Sequence, residues 1–267
     1  NAIHVGTGNF VVRANAPASL DNNTVNVAAS GTGSVIMQGN HMVSSQGNLD
    51  VSGVNFSMLG GDTGSPNQSV AGQQLQATGT VTLAMTGNVT VAAGAATANS
   101  DSGALIKGAI VHVGTSSARI ADLNLTGGTS LVNASTDHVA DAGIEAPTLN
   151  VYVAGDVNLT GGTATINGAG TAGATQKASA NAMLKGGNFV LDVLGNVSLT
   201  GGTSAANRGG NTAMANAQIL STGTFAPVIQ GDLSLTGGTA TANPLPGELA
   251  HAQARAQFGS DLDLALN

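Results

Sequence analysis

The sequence predicts an all-β chain wound as a parallel β-solenoid. Three observations point there: a repeat near 36 residues, strict two-residue alternation inside each repeat, and a scarcity of large side chains. A unit of this length cannot bury its apolar face alone, but stacked units can.

The repeat is plainest in Gly155-Asp156-Val157-Asn158-Leu159-Thr160-Gly161-Gly162-Thr163, and it returns at Gly195–Thr203 and Gly231–Thr239. Asp122–Thr129 is the same unit, Asn88–Gly94 a degraded copy and Gly47–Val51 a fainter one. From position 91 to 125, 159, 199 and 235 the spacings are 34, 34, 40 and 36 residues. Such drift describes a fixed framework carrying loops of variable length.

Before each copy lies an alternating segment: Val81/Leu83/Met85, Leu149/Val151/Val153, Phe189/Leu191/Val193 and Phe225/Pro227/Ile229. Period two is a strand with one buried face, and Thr82, Asn150, Tyr152 and Asp192 fall on the other. A third element places Ala at every second position in 178–184, 213–219 and 251–256. Ala favours helices, but helical three-four spacing is missing, so these runs are read as extended. Polar, Gly-rich segments at 167–173 and 207–211 are read as loops. Each period is expected to hold about three strands in one coil, giving about seven coils, with two smaller coils per period as the alternative. The whole of 1–267 is one solenoid domain, less regular over 1–75 and regular over 76–267. A propeller would want antiparallel hairpins and Trp-Asp signatures, and the chain has no Trp.

Composition sets the coil's girth. The chain has 39 Gly, 5 Phe, 1 Tyr and no Trp in 267 residues, so Val, Leu and Ala must fill a narrow interior. Fourteen acidic against seven basic residues give a net charge of −7, spread thinly. Nucleic-acid binding needs clustered Lys and Arg, and is excluded as a function. No run approaches a membrane span. The absence of Cys excludes disulfides and thiolate chemistry and suits secretion. The chain opens at Asn1 without a basic-plus-apolar leader, so any signal sequence is expected to lie outside it.

The Gly-[Asp/Asn]-[Val/Leu]-[Ser/Thr/Asn]-Leu-Thr-Gly-Gly-Thr unit resembles the repeat regions of filamentous-haemagglutinin-like exoproteins, large bacterial adhesins secreted through a partner outer-membrane pore. The resemblance covers roughly residues 80–267. It implies a right-handed parallel β-helix, a place outside the cell or on its surface, and adhesive or filament-forming work as a segment of a longer protein.

Candidate chemistry is sparse. Asn48, Asn88, Asp122, Asp156, Asn196 and Asp232 should align when coils stack. As oxygen ligands they would suit calcium, but interchange of Asp with Asn favours turn residues that bond the local backbone. Thr129, Thr163, Thr203 and Thr239 also align, but the column two residues on reads Leu131, Thr165, Ala205 and Thr241. That breaks any flat ice-binding array, and Thr is a common strand residue. Asp137, His138, Asp141 and Glu145 form the densest acidic cluster and are read as a solvated loop. Asp261 and Asp263 read as the wet face of a strand. His4, His41, His112, His138 and His251 show no metal-ligand spacing, and the Gly-Gly pairs are read as turns. No catalytic, cofactor-binding or metal-ligating residue is assigned, and no cofactor is expected. The chain is expected not to be an enzyme, with end-to-end self-association or a cell-surface or glycan ligand as partner. The alternative is a carbohydrate-binding or carbohydrate-cleaving β-helix.

Overall fold

The structure, a computed structural model, describes residues 2–5, 10–14, 18–20, 24–29, 33–39, 42–61, 72–97, 101–133, 137–167, 176–244 and 248–260. They form a β-solenoid in which every named strand pairs in parallel with the strand of the next coil. No helix occurs among the described residues, so none is long and apolar enough to cross a membrane.

The wide coils pass through five faces. Face 1 carries Ala104–Lys107, the first half of Ala142–Val153, the first half of Ala182–Val193, Ala217–Ser221 and Ala256–Ser260. Face 2 carries Thr80–Met85, Ile110–Val113, the second halves of the two long strands and Phe225–Ile229. Face 3 is the repeat motif itself: Val89–Ala92, Leu123–Thr126, Val157–Thr160, Val197–Thr200 and Leu233–Thr236. Face 4 runs from Ala95–Thr97 to Thr239–Ala242, and face 5 from His138–Val139 to His251–Gln253. The expected three strands per period are thus corrected to five at full width. The Gly-Gly pair separates faces 3 and 4, and each Ala run is divided between faces 5 and 1.

Pairing registers measure the coil. Val25 lies beside Leu49, whereas Leu149 lies beside Phe189, so the later coil takes far more chain to close. The irregular N-terminal part is the same solenoid wound in narrower coils, with strands on faces 1, 2 and 3 only among its described residues. Gly47–Val51 is not a copy of the face 3 motif, because Asn48–Gly53 lies on face 2. The true copy in that coil is Phe56–Gly60, in register with Val89.

Alternation decides what each face buries. Leu125, Leu159 and Leu199 stack in one inward column, all fully buried or nearly so. They belong to a large apolar core enclosed by faces 1, 2 and 3. A second, smaller core of Val132, Ala164, Ile166, Ala178, Ala180, Ala206, Ala213 and Ala215 fills the lobe of faces 4 and 5.

The repeat's Gly-Gly pair makes the waist between the two cores. Gly128 N–H donates across the coil to Ala140 O at 2.8 Å, Gly162 to Ala180 at 2.7 Å, Gly202 to Ala215 at 2.7 Å and Gly238 to Ala254 at 2.8 Å. A turn alone would have satisfied these amides locally; here they pinch opposite walls together. The close approach explains both residue types. A Cβ on Gly161 would stand 2.4 Å from Ala215 O and 2.6 Å from Gly202 N, the two atoms of the next coil's waist bond.

Candidate functional site

The strongest candidate site is a groove along the face 1–face 2 corner. In each long strand the inward positions change parity at this corner. Ala142, Ile144 and Ala146 point in before it, and Leu149, Val151 and Val153 after it. One extra residue is therefore spent at the bend, at Pro147 in one coil and Gly187 in the next. Gly186 takes an inward position where a Cβ would meet Phe189 Cβ at 2.9 Å, so the large ring fills the space of the missing side chain. The bend is concave outward and leaves a cavity of about 650 Å³ lined by Lys107, Glu145, Pro147, Lys185, Asn188 and Thr222 among others. A second cavity of about 450 Å³, lined by Ser45, Gln46, Gln76 and Thr78, shares Lys107 and Gly108 with the first. Together they make one groove crossing six coils, roughly 24 Å long at about 4.8 Å per coil.

Stacking brings one charged column into this groove. Gln76, Lys107, Glu145 and Lys185 occupy the same outward position of face 1 in successive coils. Lys107 Nζ lies 3.2 Å from Glu145 Oε2, with the lysine side chain about half exposed. Exposed pairs of this kind contribute up to about 1 kcal/mol, so the column is adjustable and not a structural lock. The floor is small and smooth: Gly108, Ala146, Pro147, Gly186, Gly187 and Gly223.

The aligned Asx column is real, but it does something other than brace a local turn. Each side chain reaches the next coil: Asn55 Oδ1 accepts from Asn88 N, Asn88 from Asp122 N, Asp122 from Asp156 N, Asp156 from Asn196 N and Asn196 from Asp232 N, at 2.7–3.2 Å. Asn48 belongs elsewhere, accepting from Thr80 N on face 2. An amide oxygen and a carboxylate oxygen serve this acceptor role equally, which accounts for the Asp/Asn interchange.

A second ladder, unseen in the sequence, runs at the face 5–face 1 corner. Asp141 Oδ1 accepts from Asn181 N at 2.7 Å, Asn181 from Asn216 N and Asn216 from Arg255 N, each at 2.9 Å. Its sequence signal is an Asp or Asn before the alanine that opens three successive face 1 strands: Asp141-Ala142, Asn181-Ala182, Asn216-Ala217. Burial pushes the Asp141 carboxyl up, partly offset by hydrogen bonds from Asn181 and Ser179.

The supposed acidic loop is corrected into three separate places. Asp137 Oδ1 accepts from Lys177 N at 2.8 Å, and His138 is buried on face 5. Asp141 sits in the corner ladder, while Glu145 faces the groove. They do not converge. Among the other histidines, His112 contacts Asn150 at 3.3 Å and His251 lies on face 5 in the last coil. His41, Asp261 and Asp263 lie outside the described residues. Tyr152, the chain's single tyrosine, is covered by the Arg119 guanidinium at 5.8 Å. Arg119 also reaches Asp192 at 2.7 Å, one coil beyond Tyr152, so this cluster clasps coils together. Among the described residues no three His, Cys, Asp or Glu side chains gather as metal ligands would.

Fold and groove define a class: a β-solenoid repeat protein with amide-zipped coils and a lysine-bearing lateral groove. No protein-family model, curated protein or solved structure matches the chain.

Proposed function

We propose that this chain is a structural and adhesive solenoid segment of a secreted or surface-bound bacterial exoprotein. The observation that carries it is the register of the stack: coil after coil pairs in parallel, with Leu125, Leu159 and Leu199 in one inward column.

A stack zipped by backbone and Asx ladders is a stiff rod, and its face 3 presents Thr126, Thr160, Thr200 and Thr236 in register, a repeated surface suited to adhesion. The groove lining contributes one carboxylate, Glu145, already paired with Lys107, whereas acid–base cleavage of a glycosidic bond takes two. This favours holding a ligand over cutting it. Beads coated with the chain should adhere to cell monolayers. Coated beads that adhere no better than bare ones, or a chain that depolymerises glycans, would overturn the adhesive reading.

A further inference from the structure

We infer that the face 1–face 2 groove is a binding site for a linear anionic polysaccharide. The inference deepens the adhesive reading and rests on it for its biological sense, but the site stands on its own geometry. Two of the chain's three lysines, Lys107 and Lys185, line this one groove of a molecule whose net charge is −7. They sit on the same column two coils apart, roughly 10 Å along the axis, with Glu145 between them. The groove therefore offers positive charge at a spacing, not at a point, and it extends across six coils. A small anion would engage one lysine. A polymer bearing acidic groups at intervals engages both.

The floor narrows the polymer class. The strands beneath the groove pair on both sides: Ala142–Val153, for example, lies between Ala104–Lys107 and Ile110–Val113 on one flank and Ala182–Val193 on the other. No backbone edge is open there for an acidic peptide to extend by strand addition. The ligand must be read by side chains and by contact with Ala146, Pro147 and the glycine backbone. Carbon–hydrogen faces of sugar rings fit so smooth a floor. Gln76, Thr78, Asn188 and Thr222 supply donors and acceptors for ring hydroxyls along the walls. Two lysines against one glutamate are far too little charge for nucleic acid, which is held by many phosphate contacts. Glu145 is a built-in brake: it draws Lys107 aside at 3.2 Å and repels an acidic ligand.

The test is affinity measurement on the full chain with four probes: polygalacturonate, heparin, dextran and polyglutamate. The first two should bind, and their ranking tells carboxylated from sulfated chains. Dextran and polyglutamate should bind at least about tenfold more weakly. The Lys107→Gln/Lys185→Gln variant should lose about tenfold for the better anionic glycan. Glu145→Gln should gain about threefold. Lys177→Gln, on face 5 away from the groove, should change nothing. All three groove positions are outward-facing, so unchanged melting curves will show that the fold is intact. Equal binding of dextran or polyglutamate, indifference to the double lysine variant, or weaker binding by Glu145→Gln would overturn the site. Beads carrying the double variant separate the two readings. Undiminished adhesion would overturn the groove while sparing adhesion, and glycan binding by a non-adhesive chain would do the reverse.

Discussion

Gly161→Ala tests whether the waist is what holds the two-lobed coil in shape. The new Cβ would lie 2.4 Å from Ala215 O and 2.6 Å from Gly202 N, against about 3.4 Å for ordinary contact. Those atoms are the partners of the next coil's 2.7 Å waist bond, so relief of the clash means opening that bond. Overpacking costs about 1–3 kcal/mol. A buried donor and acceptor left without each other cost about 1–3 kcal/mol more. The expected loss is about 2–6 kcal/mol, offset by less than about 1 kcal/mol from the stiffer unfolded chain. Gly237→Ala supplies the control, because it occupies the same motif position two coils later and, among the described residues, its Cβ meets nothing closer than Ala254 O at 3.9 Å. It shares every local effect of the substitution without the clash. Urea unfolding followed by circular dichroism, with hydrogen exchange at Gly202 to locate the damage, compares the two. Equal destabilisation by both substitutions would refute the argument, since the effect would then be local to the Gly-Gly turn.

Two further outcomes follow from the ladders. Asp156→Asn keeps the acceptor for Asn196 N and should melt with wild type. Asp156→Ala removes it and should cost about 0.5–1.5 kcal/mol in the same urea titration; equal effects would mean that the column is not held by its acceptor oxygen. For Asp141 the sign runs the other way from the usual carboxylate. Its folded pKa is raised by burial, so the folded chain holds the proton more tightly and loses stability as pH rises through that pKa. Asp141→Asn should therefore raise the melting temperature at neutral pH, with the gain closing as the pH falls below about 4. A gain that persists in acid would assign it to something other than the charge.

The groove shows where reading the chain alone stops. Lys107, Glu145 and Lys185 are each a full coil apart along the chain, and no spacing in the sequence marks them as a group. Only stacking makes them neighbours. Their local contexts, Ile106-Lys107-Gly108, Ile144-Glu145-Ala146 and Leu184-Lys185-Gly186, do align once the Ala runs are superposed. The opposite error arises at Asp137–Glu145, where closeness along the chain suggests one loop. An extended chain separates residues eight apart by roughly 26 Å, and here it carries them to different faces.

The parallel coil, the buried alternate positions of the strands and the extended state of the Ala runs were all legible in the sequence. They rest on two-residue alternation and on a repeat that cannot bury itself, and both properties are local or periodic. The five faces, the waist and the groove were not legible. Each depends on which non-adjacent backbones touch across a coil or between coils. Gly162 and Ala180 look like a turn residue and a small filler when read separately. The hydrogen bond between them exists only because neither carries a side chain large enough to keep the opposite walls of the coil apart.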